Sequence, residues 1–395
     1  MKILVVCQFY YPENFVITNL CEEFVRLGHD VTVLTGKPNY GYGEIIPEYK
    51  KINYQEVNGV KIHRVKLHAR KKSRLSIIRN YLSFWRNSKK WVRKTKEQFD
   101  IVFSMSLSPV TILSAGNLYK KKHNVKHVAY CVDLWPESVL VTNACRKNGL
   151  VYKILYKWSK SLYGKVDRVI IGSPSFKKYF EDVLGIKSDM PVVVQPSLVE
   201  SSDELDKVEF GEGFHVLYCG NLGQIQLIDL MPEIMKRAKN DGVIFHVIGM
   251  GPRSNDLKNK IKEYDLEDVL IYHGPIIAKK AASYFKASDA LYVSLKSDGY
   301  VGKTIPNKLV MYEAFAKPIV GVLDGDGKDM LNKVKGNITC GPDVEEIYNA
   351  IITLKNKNPD ELNQMGLANK SYYDRELTVN KSACKIIDVL LSELK

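Results

Sequence analysis

The triplet Gly302-Lys303-Thr304, in the run GYVGKTIPNKLVMYEA, has the residue types that grip nucleotide phosphates. A P-loop also needs glycine five positions before that Gly, so that successive backbone N–H groups wrap the phosphates. Ser297 stands there, and Pro306 opens the following helix in place of a phosphate-wrapped first turn. The run is therefore not an NTPase loop, although its cations remain available to an anion.

Other loops carry comparable chemistry. YCGNLGQIQ sets Gly220 and Gly223 between a strand and a helix, where bare N–H groups and a positive helix end would suit a diphosphate; a tight turn would select the same glycines. VIGMGPRS departs from the dinucleotide fingerprint at Ser254, and no acidic residue closes the next strand. LDGDGKDM fails as a calcium loop because its twelfth position is Lys335. In AYCVDLWPES, Asp133, Trp135 and Glu137 follow a strand directly, so Asp133 could orient or activate an acceptor hydroxyl, or cap the short helix behind Pro136. GKPNYGYGEIIPEY is a Gly/Tyr/Pro-rich loop that either shapes a pocket or simply turns.

The elements that position these loops alternate in βαβ fashion. Strands are expected at 2–7, 30–35, 59–65, 100–104, 126–131, 167–172 and 191–195, with helices near 16–27, 75–97, 108–122, 149–163 and 174–184. Runs such as KILVVC are continuously apolar, as in a parallel sheet covered on both faces. The polar stretch SLVESSDELDKVEFGEGF reads as a linker, after which the rhythm restarts. Strands follow at 214–219, 243–248, 269–273, 290–295 and 318–322, with helices near 226–240, 253–264, 278–288, 306–316 and 326–334, and a long helical tail over 359–393. The fold class is α/β, two tandem Rossmann-like doubly wound domains, one over 1–200 and one over 201–375, with a helix at 376–395 returning to the first. Ligands of such sheets bind at the carboxyl ends of the strands, so two facing domains would make an interdomain cleft.

The chain has 395 residues, enough for two cores, and a net charge of +14. Thirteen lysines and arginines and no acid lie between Arg64 and Lys96, so one segment carries nearly all of the excess. Within it Leu75, Ile78, Leu82 and Trp85 recur at helical spacing, broadened by Ile77, Tyr81 and Phe84 and surrounded by Arg79, Arg86, Lys89, Lys90 and Arg93. That pattern describes either a helix on an anionic membrane surface, with Arg79, Trp85, Arg86 and Lys90 as its contacts, or a core-packed helix with a solvated basic rim. Nucleic acid is not favoured, because no binding motif accompanies the charge. No run approaches the ~18 apolar residues of a spanning helix. The start, MKILVVCQFYY, is too short in apolar residues for a secretory leader and reads as a first strand. Seven scattered cysteines without ligand spacing suit reduced thiols in a cytoplasmic protein with no zinc site.

These landmarks, in this order, resemble glycosyltransferase family 4 of the GT-B fold, and within it the bacterial O-antigen and capsule enzymes described as N-acetyl-L-fucosamine transferases. The resemblance rests on FYYPE, GHDVTVLTGKPNYGYGEI, DLWPES, CGNLGQIQ, IGMGP, HGPI and IPNKLVMYEAFAKPIVG. It implies retaining transfer of a sugar from a nucleotide diphosphate, UDP first among them, without a metal or cofactor. The acceptor would be a polyprenyl-diphosphate-linked saccharide at the inner face of the cytoplasmic membrane. On the acceptor side it implies Pro12, Glu13, Asn39, Tyr40, Trp135 and Glu137; Asp133, where many relatives use a histidine, is expected to be catalytic from its place directly after a strand. On the donor side it implies Gly220, Asn221, Gly223, Gln226, Gly249, Gly251, Pro252, Pro275, Ile276, Ile305, Pro306, Asn307 and Glu313. Glu313 matches the family's ribose-binding glutamate, whereas Ile305 occupies the place of the sugar-binding one. Asn221 and Gln226 stand where relatives carry an arginine and a lysine against the diphosphate, and Lys303 and Lys308 are placed to supply that charge. Two other readings of the same landmarks are a UDP-sugar 2-epimerase, which has no use for a basic amphipathic helix, and a membrane-bound scaffold, which has none for Glu313.

Overall fold

In the computed structural model, which describes residues 1–71, 73–141, 145–197 and 208–395, the chain divides into two units. One comprises Met1–Leu198 with Val379–Lys395, the other Val199–Thr378. The stretch proposed as a linker falls mostly outside the described residues.

The first unit runs β1 (Lys2–Val6), α1 (Val16–Arg26), β2 (Asp30–Gly36), β3 (Tyr54–Val57), β4 (Val60–Val65), α2 (Arg74–Lys94), β5 (Ile101–Ser106), α3 (Leu113–His123), β6 (Lys126–Cys131), α4 (Glu137–Val141), α5 (Leu150–Tyr163), β7 (Arg168–Ile171) and α6 (Phe176–Tyr179). Its sheet has the order β3-β4-β2-β1-β5-β6-β7. Every pairing is parallel except β3 with β4, a hairpin strand missed because YQEV has only one aliphatic residue. Along β1, Ile3 and Val5 point into one core with Leu20 and Phe24 of α1, while Leu4 and Val6 point into another with Phe84 of α2 and Ala115 of α3. Burial on both faces explains the unbroken apolar run. The strand expected at 191–195 reduces to one bridge, Val192 to Ile171.

The second unit runs β8 (Phe214–Cys219), α7 (Leu230–Arg237), β9 (Val243–Ile248), α8 (Ser254–Glu263), β10 (Leu270–Gly274), α9 (Ala278–Ala287), β11 (Ala290–Ser294), α10 (Asn307–Glu313), β12 (Ile319–Val322), α11 (Gly325–Asn332), β13 (Ile338–Thr339), α12 (Val344–Lys355) and α13 (Pro359–Glu376). Its sheet is parallel throughout, in the order β10-β9-β8-β11-β12-β13. The expected single tail helix is two: α13 closes at Leu377, and α14 (Val379–Ser392) begins afresh. The division is functional in packing terms, because Ala383, Ile386 and Leu390 of α14 enter the α1 side of the first core. Each sheet thus gathers its strand-to-helix loops at its own carboxyl edge, where doubly wound sheets bind ligands.

Candidate functional site

At the carboxyl edge of the second sheet, the loop after β8 and the loop after β9 are built against each other. The Gly220 amide donates to Ile248 O at 2.9 Å, the Leu222 amide to Met250 O at 3.0 Å, and the Arg253 amide to Leu222 O at 3.0 Å. Gly249 has φ +134°, and a Cβ there would stand 1.8 Å from Gly220 O. Glycine is required by this backbone approach. Of this loop's amides, those of Gly220 and Leu222 are committed to loop–loop bonds, and α7 starts at Leu230 rather than near 226.

Lys308, in the first turn of α10, reaches this loop. Its Nζ donates to Tyr218 Oη at 2.5 Å, lies 4.0 Å from the centre of the Tyr218 ring, and would be 3.0 Å from a Cβ on Gly220. Burial pushes the ammonium down to about 7, against a weaker opposing pull from Cys219. The helix is anchored here by Tyr312, whose hydroxyl accepts from the Cys219 amide at 2.8 Å. One turn on, Glu313 is 0% exposed, and neither carboxylate oxygen has a hydrogen-bond partner. Burial raises its carboxyl to about 8. Gln226 Oε1 is likewise buried and unpartnered, while its backbone oxygen accepts from Ser294 Oγ at 2.6 Å. Buried acceptors without donors are costly, which makes them a place for incoming hydroxyls or amides.

Lys303 is positioned differently from Lys308. It closes a short 3-10 turn (Val301–Lys303), its side chain is exposed, and its backbone packs on Gly325 at the start of α11. Asp298 pairs with Lys296 at 2.5 Å, and the Lys296 amide donates to Ile225 O at 2.7 Å, tying this loop to the one after β8. Pro306 caps α10 with extended backbone, Ile305 is half-buried beside it, and Asn307 is exposed. Gly251 and Pro252 complete the turn into α8, with Pro275 exposed and Ile276 half-buried after β10.

The first unit's edge places most of its expected residues in structural bonds. Glu13 Oε1 accepts from the amides of Asn39 and Tyr40, both at 2.5 Å, and fixes the loop after β2. Asn39 is fully buried: it donates to Lys37 O at 2.8 Å and accepts from the Arg70 amide at 2.8 Å and from Asn80 Nδ2 at 3.0 Å. Trp135 O accepts from Ser159 Oγ at 2.6 Å and Tyr179 Oη at 3.2 Å, and Glu137 Oε1 accepts from Tyr152 Oη at 2.6 Å. Pro12 lies in the loop between β1 and α1. Asp133, just past β6, is pushed up to about 6 by burial, against the pull of Ser138 and the Leu134 amide. Its charge is felt by Tyr81, whose hydroxyl accepts from Arg70 Nη1 at 2.5 Å. The Arg70 guanidinium lies 5.2 Å from the Tyr40 ring centre and 5.3 Å from that of Tyr81. Sequence reasoning missed this Tyr40–Arg70–Tyr81 stack, since Tyr81 fell within an apolar stripe.

Helix α2 turns a different stripe inward from the one its apolar spacing suggests. Asn80, Phe84, Ser88 and Val92 are buried, and Leu75 and Ile78 are 57% and 52% exposed. Asn80 can sit inside because Gln8 donates to it at 2.6 Å and it donates to His68 O at 2.6 Å. Trp85 is half-buried, its Nε1 donating to Ser114 Oγ of α3 at 2.9 Å, while Arg79, Arg86 and Lys90 are exposed. The Trp85 ring stacks at 6.2 Å on Trp158 of α5, a helix with Leu150 77% and Val151 54% exposed and with Ile154 outward too. Neither helix contains an acidic residue. The helix itself is expected near 149–163, but its outward apolar residues are not, because in sequence they pass for core.

Residues 14–198 match the family model Glycosyltransferase Family 4, and residues 206–371 match Glycosyl transferases group 1. The chain is 22% identical over 236 residues to the probable glycosyltransferase WbjE of Pseudomonas aeruginosa, spanning 57% of this chain and 58% of that relative. The chain thus covers a little over half the length of that curated relative. Among solved structures, it is similar to sucrose-phosphate synthase from Thermosynechococcus elongatus (TM-score 0.72, 14% identity, 99% and 98% of the two chains). It is also similar to HepE of Anabaena in complex with UDP and glucose (TM-score 0.70, 13% identity, 99% and 100%). These likenesses establish the GT-B fold.

Proposed function

We propose the following reading for a chain that belongs to the GT-B glycosyltransferases, as the family models matching its two domains show. It moves a sugar, with retention and without a metal, from a nucleoside diphosphate held by the second domain to a hydroxyl of an acceptor held by the first. The donor is UDP-linked, a choice supported by the UDP complex of the similarly folded HepE. The sugar is an N-acetylated hexosamine such as N-acetyl-L-fucosamine, and the acceptor a polyprenyl-diphosphate-linked saccharide of O-antigen or capsule assembly.

The observation that carries this reading is Glu313, a fully buried carboxylate with no partner, one turn beyond a lysine that reaches the glycine loop. Two ribose hydroxyls would supply the donors that Glu313 lacks. When the bond between the anomeric carbon and the diphosphate oxygen breaks, charge develops on that oxygen. Lys308 is the cation set to meet it, and a bound dianion would restore the proton that burial tends to remove. Asp133, with its carboxyl at about 6, is ionised at neutral pH and acts on the acceptor hydroxyl.

No helix among the described residues is long and apolar enough to cross a membrane. The acceptor's lipid is reached instead from a bilayer surface, the protein lying peripherally on the inner face of the cell membrane. Support comes from α2 and α5 together: Arg79, Arg86, Lys90, Lys153 and Lys157 are exposed around Leu75, Ile78, Leu150, Val151 and Ile154. Exposed cations and exposed apolar side chains on the same helices are complementary to anionic lipid. Both helices leave the carboxyl edge of the sheet, so their apolar first turns lie at the same end as Asp133.

Incubation with radiolabelled UDP-sugars and a lipid-linked acceptor in anionic vesicles tests the reading. Label transferred to lipid by the native protein, and lost in Asp133→Asn, is expected. Epimerised free sugar nucleotide formed without acceptor, or full transfer by Asp133→Asn, would contradict it.

A further inference from the structure

The first unit holds two buried cations that the reading above does not use. Lys37, directly after β2, is 2% exposed, and Arg64, within β4, is 4% exposed. The strands are neighbours, with Thr35 opposite Arg64 in the register, so both side chains stand at the carboxyl edge of the sheet. Their protein partners are sparse and neutral. Lys37 Nζ donates to Ile52 O at 2.5 Å, and Arg64 Nη2 to Tyr11 O at 2.7 Å. Arg64 Nε and Nη1 are buried with no partner, and the guanidinium faces the Tyr49 ring at 5.1 Å.

Compensating negative charge is thin. The nearby carboxylate is Glu13, one oxygen of which already holds the amides of Asn39 and Tyr40, and burial raises its carboxyl. Lys37 is pulled down by burial and by the like charges of Arg64 and Lys66. Charges are rarely kept out of water without a counter-charge, and breaking up such a pair by removal of its anion is costly. Here the arrangement is that of a site whose anion comes from outside.

What covers the two cations is the segment 38–53, which contributes Ile52 O and the Tyr49 ring. Gly41 and Gly43 both have positive φ, +81° and +76°, and Tyr40 and Tyr42 between and beside them are 44% and 67% exposed. One carbonyl and one ring are contacts an anion can replace. A planar fork with free donors beside a point charge suits a phosphoanion with two or more oxygens, and a diphosphate can engage both at once.

We propose that Lys37 and Arg64 form a diphosphate-binding site that the 38–53 segment closes, and that the lipid-linked acceptor places its diphosphate there. The identity of the lipid as the source rests on the acceptor reading above; the anion site does not. The ligand's phosphate oxygens accept from Arg64 Nε and Nη1 and from Lys37 Nζ, displacing Ile52 O. Lys308 and Glu313 belong to the other unit.

Amide hydrogen exchange read on peptides covering 38–53 tests this, with inorganic pyrophosphate and with geranyl diphosphate as a soluble short-chain probe. In the native protein both ligands should change exchange in this segment, geranyl diphosphate at lower concentration. Arg64→Met and Lys37→Met should weaken the response at least tenfold. Without ligand, Arg64→Met should unfold at the same or higher denaturant concentration, because it removes a buried charge that is only thinly compensated. A response to pyrophosphate alone would keep the anion site and reject the lipid-linked source. No response to either probe, or an Arg64→Met protein that is less stable yet responds as the native one does, would overturn the proposal. Because no sugar transfer is measured, a protein that fails to glycosylate but shows the segment response would refute the function and leave this site standing.

Discussion

At the carboxyl edge of the first sheet the buried polar side chains are mostly bonded to protein, whereas in the second unit the most deeply buried acid, at the end of α10, has no hydrogen-bond partner. Glu13, Asn39, Asn80 and Glu137 each hold a backbone segment or a neighbouring side chain. Glu313 and Gln226 Oε1 hold nothing. Two edges with the same topology therefore differ in what they leave open. The first is a framework around a few exposed or charged groups, Asp133, Arg70 and the Lys37–Arg64 pair. The second keeps unsatisfied acceptors and a proton-shedding lysine ready for a ligand that carries hydroxyls and charge.

That contrast breaks most readily at Lys308. Lys308→Ala should slow sugar transfer by about 10²–10³, the usual effect of losing one preorganised donor to a developing negative charge, with an unchanged circular dichroism spectrum. Transfer at the native rate would remove the second edge's claim to the leaving group.

Next in size, Glu313→Gln should weaken uridine nucleotide binding about tenfold, roughly 1.4 kcal/mol. It should do so without loss of stability in the ligand-free protein, since the native carboxylate has no partner to lose. The opposite pattern is expected of Glu13→Gln on the first edge, where one of the two amides held is weakened: stability falls by about 1–2 kcal/mol and nucleotide binding is untouched. Denaturant melts with and without nucleotide separate the two behaviours.

A pH series sharpens the same comparison. The Glu313 carboxyl titrates near 8 in the fold and near 4.5 when unfolded, so the folded state binds more protons between those values. Ligand-free stability should therefore fall as pH rises from about 4.5 to 8, and Glu313→Gln should flatten that fall. Lys308 is shifted the other way, to about 7 from 10.5, so the unfolded state binds more protons between them and stability should rise with pH over that window. Lys308→Met should remove the rise.

The smallest expected effect concerns the outer helices. Ile154→Ser with Val151→Ser should weaken binding to phosphatidylglycerol vesicles severalfold, and neutralising Arg79, Arg86 and Lys90 should reduce its salt dependence. Vesicle binding that survives both sets would detach the membrane from this face.

The strands and their order of loops were readable because period-two burial on both faces leaves an unmistakable apolar run, as in β1 and β8. Glu313 and Lys308 stand out in the sequence by the motif around them. What the sequence concealed depends on partners distant along the chain. Asn80 lies inside α2 only because Gln8 and His68 satisfy it, so the buried stripe could not be found from hydrophobic spacing. Gly220 and Gly223 read as either a phosphate cradle or a tight turn, whereas the close approach of the loop after β9 to Gly220 O at Gly249 has no local signal. The break at Leu377 leaves α14 to the core of the first unit, a tertiary requirement with no local signal. The exposed apolar turn of α5 is indistinguishable in sequence from a core helix.

The central claim, that the second edge is built for a nucleoside diphosphate, is tested most directly by calorimetric titration of UDP into the native protein and into Lys308→Ala and Glu313→Gln. The account predicts saturable binding to the native protein at a ratio of about one, at least tenfold weaker in each variant, with proton uptake on binding near pH 8 as the diphosphate restores the Lys308 ammonium. Native affinity in both variants, or no binding to the native protein by any nucleoside diphosphate, would contradict it.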